Sequence, residues 1–346
     1  MFIKKDSRKV SEILSDESDP RTHLKLARRG AEFASGLSPL LCHERHLPAL
    51  QALQTLSLYG NSLSDVTGIG VLKGTPVREI NLGQNLLETL PEELGEIRSL
   101  ERLWLDGNRI GPQLPQCLLE LSQLRVLRAS NNQIAELPEA IGHALPQLEV
   151  LAVDNNRLER LPESIWAMSR MEKLIVRGNH LEEISEEVGR LGELRMVQAS
   201  SNRLQVIPEA MGRLAKLEEL YLNGNQIAEV PVTLTGLAAV KKISLANNRI
   251  VALPAVLEEK WKLDGAPGDG PADAVVADEP AVAVELFGNP LGQKEQVKGQ
   301  EASSGAVADA VDAASASGSS DMVTPKSASM LEQGNKRQKK GAAEEA

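Results

Sequence analysis

Apolar residues recur along most of this chain in a fixed frame. From Leu50 the pattern runs Leu53, Leu56, Leu58, Asn61, Leu63, and it returns as Val77, Ile80, Leu82, Leu87 and Leu90 around Asn85. The frame LxxLxLxxNxL places its asparagines at Asn61, Asn85, Asn108, Asn132, Asn156, Asn179, Asn202, Asn225, Asn248 and Asn289. Successive gaps are 24, 23, 24, 24, 23, 23, 23, 23 and 41 residues. A period of this length is the mark of a stacked repeat, in which each unit buries its apolar side only against its neighbours.

Within each unit the alternation has period two, as in Leu103-Trp104-Leu105. It predicts a short strand with leucines facing inward and Trp104 facing out. Strands one repeat apart then lie parallel. The chain must turn sharply after each strand, and a buried Asn amide can donate to and accept from backbone groups left unpaired there. The stretch Leu90 to Leu100 follows, with Leu94, Ile97 and Leu100 pointing back inward from a short helical or 3₁₀ return. Pro91 opens that return, and Glu92 and Glu93 sit near its N-terminus, where backbone N–H groups favour negative charge.

The units LERLWLDGNRI, LRVLRASNNQI, LEVLAVDNNRL, LRMVQASSNRL and LEELYLNGNQI are followed by returns such as LPEELGEIRSL and IPEAMGRLAKL. Together they resemble the intracellular leucine-rich-repeat family of the Ras-group-related kind, which includes plant members and animal Ras-pathway scaffolds. The first return, VTGIGVLKGTPV, is more similar to the phosphatase-regulator class of these repeats. The resemblance covers roughly residues 50 to 291. The fold class expected is α/β, a leucine-rich-repeat solenoid or horseshoe of ten repeats, with a parallel concave sheet and short helical or 3₁₀ convex returns. The function implied is a scaffold or adaptor gripping a signalling protein, a small GTPase or a phosphatase.

Residues 1–49 lie outside the repeat and read as a helical N-terminal cap in two pieces. Asp19-Pro20 reads as an N-cap with proline at the first helical position, opening RTHLKLARRGAEF. Leu24, Leu26, Phe33 and Leu37 are expected to cover the first rung, because an open solenoid exposes apolar surface at its ends. The 41-residue gap exceeds the period by 41 − 23 = 18 residues, and the excess around 264–280 is rich in Gly, Pro, Ala and Asp. That composition predicts a bulging loop, and 292–346, dominated by Ala, Ser, Gly and charge, predicts a disordered tail.

Composition sharpens this picture. Aromatics are 2% of the chain against 42% hydrophobic residues, so the core must be aliphatic. The net charge of −10 opposes nucleic-acid binding unless cations gather on one face. No apolar run approaches the ~18 to 20 residues of a spanning helix, so no membrane partner is expected. Cys42 and Cys117 are the only cysteines and there is no Asn-x-Ser/Thr sequon, which points to a reducing compartment, cytoplasmic with a nuclear alternative. The nuclear alternative rests on Lys336, Arg337, Lys339 and Lys340, a basic cluster of the form read by import receptors.

Several stretches suggest chemistry. Gly68-Ile69-Gly70-Val71-Leu72-Lys73-Gly74 approaches a dinucleotide fingerprint, but its last gap is one residue long and the repeat claims Ile69 and Leu72 for the core. Cys42, His43 and His46 with His23 lack a second ligand pair for structural zinc. No GxSxG, HExxH, P-loop or kinase set occurs, and the chain is read as a non-enzyme without metal or cofactor.

What remains is the outward face of the strands. Four residues before each ladder Asn stand Ser57, Asn81, Trp104, Arg128, Ala152, Ile175, Gln198, Tyr221, Ser244 and Glu285. Two residues before it stand Tyr59, Gly83, Asp106, Ser130, Asp154, Arg177, Ser200, Asn223, Ala246 and Phe287. Exposed Trp, Tyr and Arg dominate interface energetics, so the partner-binding candidates are Tyr59, Trp104, Asp106, Arg128, Asp154, Ile175, Arg177, Gln198, Tyr221 and Asn223. Neighbouring rungs also allow Trp104 to stack on Arg128 and Asp154 to pair with Arg177. Trp166 stands where the frame has Gly and looks exposed on the convex side, either as a partner contact or as a variation in packing. The expected partner is a protein bound by a monomer.

Overall fold

The computed structural model describes residues 8–16, 22–263 and 282–292. Its centre is one open parallel sheet of eleven three-residue strands in chain order. They are β1 (His23–Lys25), β2 (Thr55–Ser57), β3 (Glu79–Asn81), β4 (Arg102–Trp104), β5 (Val126–Arg128), β6 (Val150–Ala152), β7 (Lys173–Ile175), β8 (Met196–Gln198), β9 (Glu219–Tyr221), β10 (Lys242–Ser244) and β11 (Ala283–Glu285). The middle residue of each strand pairs with the next middle residue, as Leu103 with Leu127 and Leu127 with Leu151. That register stacks the inward leucines into one column.

Those leucines are lost to solvent: Leu56, Ile80, Leu103, Leu127, Leu151, Leu174, Val197, Leu220 and Ile243 are all 0% exposed. The residues that follow two positions on, such as Leu58, Leu82 and Leu105, are equally buried. Inward positions of the returns complete the core, with Leu94, Ile97 and Leu100 at 0%. Five-residue 3₁₀ returns such as Glu92–Glu96, Glu209–Arg213 and Val232–Gly236 begin directly after Pro91, Pro208 and Pro231. Proline fits there because its missing N–H is one that a helix start leaves without a partner.

The asparagines act as rungs of a second ladder. Asn85 donates through Nδ2 to the carbonyls of Leu82 (2.8 Å) and Leu58 (3.1 Å), while its Oδ1 accepts from the N–H groups of Asn61 (2.9 Å) and Leu63 (3.1 Å). One side chain thus satisfies its own turn and the turn before it, and the pattern continues to Asn289. The ladder Asn side chains from Asn61 to Asn248 are buried, which a polar group tolerates only when paired in this way.

The N-terminal segment departs from the sequence expectation. No α-helix runs through Thr22 to Phe33; instead His23–Lys25 forms β1, pairs with β2, and adds an eleventh strand to the ten Asn-marked repeats. Leu24 and Leu26 alternate inward as in every other rung, and Arg29 takes the ladder position, its backbone N–H donating to Asn61 Oδ1. Backbone pairing to an available sheet edge outweighs the local helix signal of Asp19-Pro20, both of which lie outside the described residues. Leu24, Leu26, Phe33 and Leu37 are all buried against the first rungs. Helices Val10–Leu14, Ser38–Leu41 and Leu47–Leu50 are each a single turn or little more.

Candidate interaction face

The strand register carries the outward positions into straight rows. Ser57, Asn81, Trp104, Arg128, Ala152, Ile175, Gln198, Tyr221, Ser244 and Glu285 are successive partners across β2 to β11. All ten candidate residues therefore lie on one face of the sheet, spread over β2 to β9 and the turns that follow those strands. The three-residue strands add a third outward row, six positions before each Asn: Thr55, Glu79, Arg102, Val126, Val150, Lys173, Met196, Glu219, Lys242 and Ala283. Sequence reasoning that counted only two rows missed it, although the same alternation extended by one step marks it.

Side chains on this face are held by neighbours one rung away. Arg128 Nε sits 3.2 Å from Asp106 Oδ2, so its guanidinium pairs with the carboxylate instead of stacking on Trp104. Asp106 also accepts from the Ser130 N–H at 3.0 Å, and the Ser130 hydroxyl donates to Asp154. Asp154 is thereby engaged, and Arg177 has no ion-pair partner among the described residues. The Ser200 hydroxyl bridges Gln198 and Asn223. This network fixes the polar half of the face, and among the described residues Trp104, Ile175 and Arg177 make no side-chain hydrogen bond or ion pair.

At the C-terminal end the electrostatics concentrate around Tyr221. Its hydroxyl donates to Glu219 Oε2 at 2.8 Å, and Lys242 Nζ lies 5.6 Å from the ring centroid. Burial, followed by the hydrogen bond to Glu219, raises the phenol above its ordinary value. Lys242 Nζ is 2.8 Å from Glu285, and this contact raises the ammonium and lowers the carboxyl, which Ser244 also hydrogen-bonds.

The distribution of aromatics divides cleanly. Among the described residues Phe33, Trp166 and Trp261 are buried at 4%, 3% and 2% exposure, while Tyr59, Trp104, Tyr221 and Phe287 all stand on the outward rows. Of the two readings of Trp166 the variation in packing holds: the side chain looked exposed in the frame but is in the core, and its indole N–H has no acceptor among the described residues. The equivalent Gly142 and Gly212 could not accept even a Cβ, which would meet the next return's carbonyls of Ser164 and Thr233 at 1.7 and 2.0 Å. At Trp166 the next return packs less closely, and the indole fills the space.

The other stretches of chemical interest resolve into packing. Gly68 adopts φ +92° to open the return Ile69–Leu72, and Ile69 and Leu72 are both 0% exposed. His46 Nδ1 lies 2.6 Å from the Leu40 carbonyl, and His43 Nδ1 accepts from the Arg45 N–H. Among the described residues no three His, Cys, Asp or Glu side chains gather as metal ligands. Cys117 is buried and its thiol is pushed up to about 11 by that burial. Lys336, Arg337, Lys339 and Lys340, the loop at about 264–280 and the tail beyond Gly292 lie outside the described residues. No described helix is long and apolar enough to cross a membrane.

Comparison with known proteins agrees with the geometry. The leucine rich repeat family model matches residues 122–181, 169–227 and 192–250. No curated protein sequence matches the chain. Among solved structures, the plant peptide hormone receptor RGFR1 in complex with RGF2 is 24% identical with a TM-score of 0.57, covering 71% of this chain and 41% of that one. An LRR protein of Leptospira interrogans is 21% identical with a TM-score of 0.38, covering 85% of this chain and 96% of that one. The functional domain of InlJ from Listeria monocytogenes, which includes a cysteine ladder, is 19% identical with a TM-score of 0.46, covering 62% of this chain and 48% of that one.

Proposed function

The chain is a leucine-rich-repeat protein, and we propose that it is a non-enzymatic scaffold that holds a protein partner on the outward, concave face of its sheet. Leucine-rich-repeat domains generally mediate protein–protein interaction. One observation supports the choice of face: every described Phe, Trp and Tyr outside the core stands on it, in a chain with 2% aromatics. Large rings left in water cost free energy that only a partner recovers, and Trp, Tyr and Arg are the side chains whose burial dominates binding. Trp104, Ile175 and Arg177 are the anchors of the contact, Tyr59 and Tyr221 its ends, and Asp106, Arg128, Asp154, Gln198 and Asn223 a prearranged polar set interleaved with them. The resemblance of the repeat signature to Ras-pathway scaffolds supports a small GTPase or a phosphatase as the class of partner.

The test is affinity measured on the full chain after its partner is captured by crosslinking and identified. Trp104→Ala with Tyr221→Ala should weaken binding by about 2 kcal/mol or more, the usual cost of removing two aromatic anchors. Both side chains point away from the core, so the melting temperature should hold. Retained affinity in that variant, with loss in the convex variant Arg98→Ser instead, places the partner on the other face and refutes the proposal.

A further inference from the structure

Many cations on this solenoid are paired with a carboxylate on the adjacent rung. Arg78 pairs with Glu101, Arg125 with Glu149, Arg195 and Lys241 with Glu218, Lys216 with Glu193, and Lys73 with Glu96. The partners are 23 or 24 residues apart in sequence, one repeat period. One row holds none of these pairs. Immediately after the ladder Asn stand Arg109, Arg157, Arg203 and Arg249, on alternate rungs, with Gln133, His180 and Gln226 on the rungs between. Each of the four arginines is exposed, and among the described residues none has an ion-pair or side-chain hydrogen-bond partner.

The flank these residues occupy runs from the ladder to the return, and its two halves differ. In the earlier rungs it also carries Glu136, Glu159, Glu182 and Glu183. On the rungs of β8, β9 and β10 it reads Arg203 to Pro208, Gln226 to Pro231 and Arg249 to Pro254, with Glu229 as its only carboxylate. The same three rungs hold four of the six large apolar side chains that stand exposed among the described residues: Val206 at 69%, Val251 at 38%, and at the starts of the returns Val232 at 48% and Val256 at 55%. Val206 follows Arg203 by three residues and Val251 follows Arg249 by two.

Two unpaired guanidiniums beside four exposed valines form a surface of mixed character, distinct from the concave rows. We propose that this flank docks an extended acidic segment of a partner protein in which carboxylates are interleaved with aliphatic side chains. Arg203 and Arg249 are two rungs apart, about 10 Å at the spacing of adjacent strands, close to the rise of three residues of extended polyproline-II-like chain, whose threefold repeat brings every third side chain back to one face. A guanidinium offers the paired donors that a carboxylate accepts, and its weak hydration lets it sit against apolar surface. The valines favour a protein segment over a polyphosphate: a nucleic-acid backbone offers nothing to cover them. Two cations are also too few to hold such a backbone to a chain of net charge −10.

The probe is a fluorescein-labelled twelve-residue peptide of four Glu-Val-Ser repeats, titrated by fluorescence anisotropy against the full chain. Saturable binding is expected, weakening about tenfold or more in Arg203→Gln with Arg249→Gln and severalfold in Val206→Ser with Val251→Ser. The counterparts built from Gln-Val-Ser and from Glu-Ser-Ser should each bind more weakly than the parent. All four positions are exposed, so unchanged circular-dichroism melting verifies the variants. Trp104→Ala with Tyr221→Ala should leave peptide binding intact, which separates this surface from the concave one. Equal binding to the wild type and the arginine variant overturns the proposal. So does binding of an oligonucleotide or of phosphatidylserine vesicles, but not the peptide, through the same arginines.

Discussion

The side-chain amide of Asn156 donates to the backbone carbonyl of Ala129, one rung back, at 2.9 Å. Its Nδ2 also reaches the Val153 carbonyl at 3.0 Å, and its Oδ1 accepts from the Ile134 N–H at 3.0 Å. Truncation leaves these buried backbone groups without partners and without water. Asn156→Ala should therefore destabilise the chain by about 1 to 3 kcal/mol, read as a lower urea midpoint at unchanged slope. An unchanged midpoint would show that the ladder is dispensable.

Leu151 tests the register itself. It is the middle residue of β6, flanked in the sheet by Leu127 and Leu174, and is 0% exposed. Leu151→Ala removes methyl groups from a column packed on both sides, where a repeat cannot collapse without shifting its neighbours. The expected loss is about 2 to 5 kcal/mol in the same denaturation measurement. Val150→Thr, at the adjacent half-buried outward position, should cost less than about 1 kcal/mol. Equal effects at the two positions would mean that the strand faces are assigned wrongly.

Legibility in the sequence followed the strength of the repeat. Ten rungs could be numbered because each fixes an Asn that only a buried, doubly bonded amide explains, and the outward rows follow by counting back from it. The first strand was not legible for the same reason: Arg29 replaces the Asn, and its distance from Asn61, 61 − 29 = 32 residues, is off the period. The alternation of Leu24 and Leu26 was the surviving signal, outweighed by a nearby helix-start motif. Trp166 was left between a partner contact and a packing variation because the frame calls for Gly there, and only the spacing between adjacent returns reveals a space for an indole. Of the face, position was legible and pairing was not: whether Arg128 turns to Trp104 or Asp106 depends on side-chain geometry across a rung.

The last strand is tied down partly by charge, which gives it a pH dependence. Lys242 hydrogen-bonds Glu285 and holds its carboxyl below the ordinary 4.5. A carboxyl with a lowered folded-state value binds its proton less readily in the folded chain than in the unfolded one. Its contribution is therefore full above about 4.5 and is lost as pH falls through the folded value. Both groups are partly exposed, so the contribution lies within about 0 to 1 kcal/mol. The urea midpoint of Lys242→Gln should fall below that of the wild type near neutral pH, and the two should converge in acid. A difference that persists or grows in acid contradicts the assignment of the pair.

The three tryptophans provide a test that needs no partner. Trp104 is half-buried on the sheet face, whereas Trp166 and Trp261 are 3% and 2% exposed and present indole N–H groups without acceptors. Iodide should quench one emitting population, and Trp104→Phe should abolish that fraction while Trp166→Phe leaves it. Trp166 also makes a stability prediction, because two effects oppose each other there. Phe loses ring volume but removes a buried donor whose desolvation costs about 1 to 3 kcal/mol, so Trp166→Phe should cost well under the about 3 to 5 kcal/mol of a full truncation. Trp166→Gly restores the residue that the repeat frame calls for, yet the next return is packed around the indole and not against a bare backbone. It should therefore cost the full amount of a large core truncation. A glycine variant as stable as the wild type would mean that the returns close up freely, and that the indole fills no space the fold requires.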